Sequence, residues 1–202
     1  MSAPETHRQA ERRTEARVNE RIDEQIVRIG EARFATHGLL RATLGSCVGI
    51  GLIWRARGRC ALAHCLLPSA QMAGATSLFA ADRDPRTCAR YVDRALPVLL
   101  RLLEAERGAY AELEAVLVGG ASLAKLGRGA AGQIGLHNIE AARACLAQAG
   151  LRVALEQVGG AKGWQVSIDA TQLSWSAREI AAPAARTNVT HHEVSHGHAR
   201  TR

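Results

Sequence analysis

Aromatic side chains are scarce in this chain: three Trp, two Tyr and two Phe among 202 residues. A core must therefore be filled by Ala, Val, Leu and Ile. Lys/Arg runs are lacking too, and no aromatics interleave with basic residues, so the stacking platforms and phosphate-tracking stripes of nucleic-acid binders are not expected. The net charge of +7 is scattered: residues 1–25 hold five Arg against six Asp and Glu, and residues 183–202 hold three Arg against one Glu. Such a basic surface still suits an acidic protein partner. No apolar run approaches the roughly 18 residues of a spanning helix, and the N-terminus is charged from Glu5 onward without an apolar core, so neither membrane insertion nor a signal peptide is expected. The expected location is the cytoplasm. The cysteines (Cys47, Cys60, Cys65, Cys88, Cys145) are odd in number and mostly embedded in strand-like or helix-like patterns, which argues for thiols rather than a disulfide framework.

What the chain does have is a block of short strand-like runs followed by two helical ones. Residues 1–25 alternate charges with almost no apolar stripe and read as a disordered or frayed extension. IVRIGEARFAT, from Ile26, reads as a first strand, and THG leads through LLRATLGSC into CVGIGLIW, a second. After a tight turn at Arg55–Gly58, RCALAHCLL reads as a third, closed by Pro68. Thr87–Gly108 carries Val92, Ala95, Leu96, Leu99, Leu100 and Leu103 at helical spacing, with Pro97 interrupting it. LEAVLVGGAS is a short strand running into a Gly-rich loop, and Asn138 reads as the N-cap of a helix ending at Gly150. LRVALEQVGG, WQVSID and QLSWS complete the strands, and the tail from Ala181 is polar and His-rich. Early strands joined by short turns rather than helical crossovers predict one α+β domain over 26–180 with mostly antiparallel pairing.

Cys47 stands at the mouth of a strand, directly after a Gly-Ser turn. That is where a scaffold can present a nucleophile, whereas a cysteine inside a strand is usually a small buried hydrophobe. His64 lies in the next run. If Ala56 and Arg57 form a two-residue hairpin loop, paired numbers sum to 113, which sets Cys47 opposite Leu66 and leaves His64 diagonal to it on the same face. A thiol and an imidazole so placed suit nucleophilic catalysis, the imidazole taking the proton and stabilising a thiolate near neutral pH. The alternative is a buried structural cysteine beside a histidine bonded to backbone. Cys60, Cys65, Cys88 and Cys145 lack a small-residue turn before them and read as core.

Other motifs carry less. His192-Glu193-Val194-Ser195-His196 matches H-E-x-x-H, but zinc ligation needs a helix with a docking face, and this stretch follows a Pro-containing polar linker and is trailed by Gly197. No catalytic metal is expected. Gly49 and Gly51 lack the third glycine of a dinucleotide loop, and GGASLAKLGRGAAG lacks a phosphate-loop lysine pattern, so no cofactor is expected. The turn at Gly119 and Gly120 offers backbone N–H groups to an oxyanion or substrate, with a purely structural turn as the alternative.

LGSCVGIGL, AHCLLPS, RYVDRAL, VGGAS, IGLHNIEAARACLAQAGLRV and a following GG occur in this order between Ile26 and Trp175. Together they resemble the chemoreceptor glutamine deamidase family CheD. The resemblance implies two stacked β-sheets flanked by helices and hydrolysis of receptor glutamine side chains to glutamate, with some receptor methylesterase activity. It implies Cys47 as nucleophile and His64 as base, with Ser46 beside them as a candidate substrate contact. Chemoreceptor cytoplasmic domains are the implied substrates, and a CheC-type phosphatase is a further implied partner. The family's Thr stands about five or six residues before the cysteine, at positions occupied here by Arg41 and Ala42, so Thr43, closer to Cys47, is the candidate for orienting His64. GGAKGWQV, Gly159–Val166, replaces a more basic Gly-Asn-Arg type stretch. The competing reading is a scaffold that docks on receptors or on the phosphatase with little turnover.

Overall fold

The computed structural model describes residues 23–70, 88–122 and 130–180. Of the expected extension, residues 1–25, positions 1–22 lie outside the described residues, while Glu24 and Gln25 are in a strand paired with Leu39 and Leu40; the His-rich tail 181–202, including His192 and His196, also lies outside them. Among the described residues nine strands form two sheets. The first, in the order β1-β3-β8-β9, consists of β1 (Glu24–Ile26), β3 (Leu39–Leu44), β8 (Gly163–Asp169) and β9 (Ser174–Ile180). The second, in the order β2-β5-β4-β6-β7, consists of β2 (Ala32–Ala35), β5 (Arg59–Cys65), β4 (Val48–Trp54), β6 (Leu113–Gly119) and β7 (Arg152–Val158). Pairing is antiparallel except for β1 with β3 and β6 with β7. The latter pair needs a crossover, and helix α2 (Ala130–Gln148) lies in that connection. Helix α1 (Val92–Leu102) joins α2 on the outer face of the second sheet. The α+β architecture with stacked, mostly antiparallel sheets follows the expectation.

Two apolar layers hold this together. Leu40, Ala42 and Leu44 of β3, Val166 and Ile168 of β8, and Leu62 of β5 pack between the sheets. Ile50, Leu52 and Ala63 pack against Leu96 and Leu99 of α1 and Ile139 and Leu146 of α2. Strand β4 is buried on both faces along its whole length, which is why it reads as a continuous apolar run. Its two glycines face the other sheet: a methyl group at Gly49 would stand 3.0 Å from Leu44, and one at Gly51 2.5 Å from Ile168. The G-x-G of CVGIGLIW is thus a close-packing device. Each fully buried Leu or Ile contributes about 1.5–3 kcal/mol. Among the described residues the core is aliphatic apart from Trp54 and Tyr91, and no helix is long and apolar enough to cross a membrane.

Several local expectations are corrected. Ile26–Thr36 is not one strand: Gly30, at φ +82°, turns the chain between β1 in one sheet and β2 in the other. LLRATL forms a strand of its own, β3, because its alternation buries Leu40, Ala42 and Leu44 against the second sheet. Pro97 sits inside α1 without ending it, and the helix closes at Leu102 rather than near Gly108. Helix α2 begins at Ala130, so Asn138 is a mid-helix residue and not its cap. The hairpin loop is four residues, a 3-10 turn at Arg55–Arg57 closed by Gly58 in the left-handed region, not two. Strand register survives this change, because Trp54 pairs with Arg59 and Val48 with Cys65, the same sum of 113.

Candidate active site

The register fixes the relation between the two candidate reacting groups. Gly49 pairs with His64 and Val48 with Cys65, so Cys47, one residue beyond β4, shares a sheet face with His64. Both side chains are held nearly out of solvent, Cys47 at 6% and His64 at 4% exposure. Cys47 sits at the end of the intersheet core, and Cys60, Cys65 and Cys145 are free thiols elsewhere in the packing.

The loop Gly45–Cys47 is tied down by its neighbours. Gly120 N–H donates to the Cys47 carbonyl at 2.7 Å, and Ala121 N–H to the Gly45 carbonyl at 2.8 Å. The Ser46 carbonyl accepts from Asn138 Nδ2 at 2.9 Å. The Gly120 N–H, a candidate oxyanion donor, is therefore already committed to holding Cys47. Gly119, at φ +109°, lies so close to the Cys47 carbonyl oxygen that any Cβ there would collide with it. Because that obstacle is backbone and the φ is left-handed, Gly119→Ala is expected to cost about 1–3 kcal/mol and to push Cys47 out of place. Chemical denaturation should show the lost stability, and a steady-state assay should show a lower kcat.

His64 is pinned from the other side. Its Nδ1 lies 3.1 Å from the Val27 carbonyl, and since a carbonyl only accepts, Nδ1 carries the proton. Its backbone is held by Gly30 N–H donating to the His64 carbonyl and by His64 N–H donating to Glu31. The opposite ring nitrogen, Nε2, is buried without a hydrogen-bond partner among the described residues. The hydrogen bond that holds the ring goes to the Val27 backbone, which β1 delivers beside β3. Thr43 lies on the outward face of β3, exposed, because its neighbours Ala42 and Leu44 take the inward positions. It lines with His64 a cleft of about 430 Å³ whose walls include Ile26, Val27, Ile29 and Arg41.

Electrostatics correct a further expectation, that of a thiolate–imidazolium pair at rest. Burial pushes the Cys47 thiol up, against the pull of its own backbone N–H, and burial pushes the His64 imidazole down, against the Val27 carbonyl and Glu31. Both groups are therefore held neutral around pH 7, because desolvation disfavours each charged form. No group of His, Cys, Asp or Glu suited to a metal ion occurs among the described residues.

Four residues in this arrangement were not legible beforehand. Val27 acts through its carbonyl, which no side-chain pattern reports. Asn138 sat in the right stretch but read as a cap. Ile26 and Ile29, which rim the cleft at 53% and 58% exposure, looked like members of an ordinary strand.

A family model described as CheD chemotactic sensory transduction matches residues 67–178, more than half of the chain. That span begins just beyond His64 and takes in Asn138. A protein of Bdellovibrio bacteriovorus named probable chemoreceptor glutamine deamidase CheD is 36% identical over 153 residues, covering 72% of this chain and 88% of the relative. Probable chemoreceptor glutamine deamidase CheD 2 of a Ruegeria species is 33% identical over 167 residues, 79% of this chain and 93% of the relative. A protein of Pyrococcus abyssi with the same name as the first is 33% identical over 148 residues, 73% and 82% of the two chains. Likeness of this extent, running through both sheets and both helices described above, means that the chain belongs to the CheD family.

Proposed function

We propose that this protein hydrolyses glutamine side chains of chemoreceptors to glutamate, acting from the cytoplasm with Cys47 as nucleophile and His64 as general base and acid. The observation that carries the reading is the buried His64 Nε2, without a partner among the described residues on the sheet face it shares with Cys47, while Nδ1 is pinned to Val27. An imidazole with one nitrogen fixed and the other free is set to take a proton. As the substrate carboxamide enters, Nε2 takes the thiol proton and the sulfur attacks the amide carbon. The Cys47 N–H, which faces its own sulfur, is the first donor an oxyanion would meet, with the half-buried Ser46 beside it. The imidazolium then gives its proton to departing ammonia, leaving a thioester that a water activated by Nε2 hydrolyses. A receptor methyl ester follows the same path with methanol leaving. No metal or organic cofactor takes part in this scheme.

Mass spectrometry of a chemoreceptor cytoplasmic fragment, incubated with the full chain or with Cys47→Ala, tests the reading. Conversion of glutamine to glutamate only with the intact cysteine is expected; equal conversion by both proteins would sink it. The raised pKa of Cys47 favours a second reading, a module that docks on receptors or on a CheC-type phosphatase with little turnover. Tight binding of the fragment without conversion would select that one.

The cleft rim bears on how a protein substrate approaches. Exposed Ile26 and Ile29 offer apolar contact along the cleft that His64 helps to line. The double variant Ile26→Ser, Ile29→Ser is expected to raise KM by about fivefold or more and to leave kcat within about twofold, since only uniform binding is removed. A fall in kcat at unchanged KM would contradict this.

A further inference from the structure

We propose that Asn138 is a positioning residue for the Cys47–His64 pair, its side-chain amide stapling together the two backbone segments that carry thiol and imidazole. This rests on the reading of that pair as the reacting groups. Asn138 is completely buried in the middle of α2. Its Nδ2 donates to the Ser46 carbonyl at 2.9 Å and to the Leu66 carbonyl at 3.0 Å. Ser46 immediately precedes Cys47, and Leu66 stands two residues after His64, at the position that faces Cys47 when the β4–β5 register is extended by one step. One amide group thus fixes the separation of the two strand ends at the point where the reacting side chains leave the sheet.

The cost of the arrangement argues that it serves more than packing. Both amide protons are used, and Asn138 Oδ1 is left buried with no partner among the described residues. Unbonded buried carbonyl oxygens are disfavoured, and the surrounding helix face, with Ile139, Ala142 and Leu146, is apolar. An aliphatic side chain would suit that face better, but would leave the Ser46 and Leu66 carbonyls untied. The helix itself is pressed onto the same loops: a Cβ at Gly135 would come within 2.5 Å of the Gly120 carbonyl oxygen, and Gly120 N–H in turn holds the Cys47 carbonyl. Cys47 is therefore clamped from both sides, by the glycine turn through its own carbonyl and by Asn138 through the carbonyl before it. A displacement of about 1 Å at such a pair costs on the order of 10²-fold in rate.

The test compares five full-length proteins on a chemoreceptor cytoplasmic fragment: the parent chain, Asn138→Ala, Asn138→Ser, Ala142→Gly and Cys47→Ala. Ala142 is buried on the same helix but has no bond to either loop, so its variant reports what general loosening of α2 does. Expected is a fall in kcat of about 10- to 100-fold for Asn138→Ala with KM within about twofold, while Ala142→Gly keeps kcat near the parent value. Asn138→Ser, retaining one donor, should fall between. Full kcat in Asn138→Ala, or equal losses in Asn138→Ala and Ala142→Gly at matched melting temperature, would overturn the proposal. Failure of both Asn138 variants to fold would overturn it as well, by making the residue a requirement of the fold rather than of turnover. Undiminished turnover in Cys47→Ala would instead remove the reading of the reacting pair, independently of what Asn138 does.

Discussion

Cys47→Ala is expected to lose about 10³-fold or more of kcat/KM for glutamine hydrolysis, on the scale set by deletion of a covalent nucleophile in other hydrolases. The prediction separates two roles that the fold alone does not. Cys47 packs at the end of the intersheet core beside Leu44 and Val166, so as a core side chain its truncation would cost about 1 kcal/mol of stability and leave turnover nearly intact. As the attacking group, its loss removes the thioester path: among the described cysteines, Cys60 shares the intersheet face but lies at the far end of β5 from His64, and Cys65 packs on the opposite face. Cys60 and Cys65 are buried and pushed upward, Cys60 to about 12, and neither can replace it. Paired denaturation and turnover measurements on the one variant decide the matter: a folded protein without activity supports the nucleophile, and a weakened protein with activity supports the packing role.

His64→Gln is expected to lower kcat by about 10²- to 10⁴-fold and to change the shape of the pH profile as well as its height. Burial lowers the His64 pKa from its ordinary 6.5, so the neutral, proton-accepting form persists below that value. The Cys47 thiol, raised above its ordinary 9.0, stays protonated across the same interval and on the alkaline side. The pair is thus competent as neutral thiol plus neutral imidazole. The acid limb of kcat/KM should accordingly have its midpoint below pH 6.5 in the parent chain and should be absent in His64→Gln. A midpoint clearly above 6.5 would mean an imidazolium stabilised at rest, contrary to the burial of the site. The same sign governs stability: a depressed pKa contributes stability that is present above 6.5 and lost as pH falls through the folded value. Acid unfolding of the parent should therefore begin with His64, and His64→Gln should show a flatter dependence there.

Alkylation of Cys47 follows from the same neutral pair. A resting ion pair would react with iodoacetamide at mildly acidic pH, whereas a buried neutral thiol reacts faster only as pH rises toward and past the usual thiol range.

Much of this was written in short stretches of chain. Alternation in CVGIGLIW and RCALAHC, together with the turn between them, fixed which residues face each other, and Cys47 and His64 came out on one face even though the turn proved longer than expected. The four-residue loop takes one residue from each strand end, so the sum of paired numbers is unchanged. The scarcity of aromatics foretold an aliphatic core, and two glycines in β4 foretold a strand rather than a phosphate loop, because these follow from side-chain size and a period of two.

The remainder depended on partners distant in the chain. Ile26–Thr36 splits between two sheets because Ile26 pairs with Arg41 while Ala32 pairs with Ala63, a choice that no local pattern encodes. The group that orients His64 is a backbone carbonyl at Val27, identical in every residue type and so invisible to residue-by-residue reading. Asn138 illustrates both limits: a polar residue before an apolar helical run is a reasonable cap by local rules, yet here the helix starts eight residues earlier and the amide is turned inward to two carbonyls 92 and 72 positions away. Local chemistry specifies strands, turns and the candidate reacting groups, because those preferences act over a few bonds; how such groups are held relative to one another is set by long-range packing, which only the folded chain supplies.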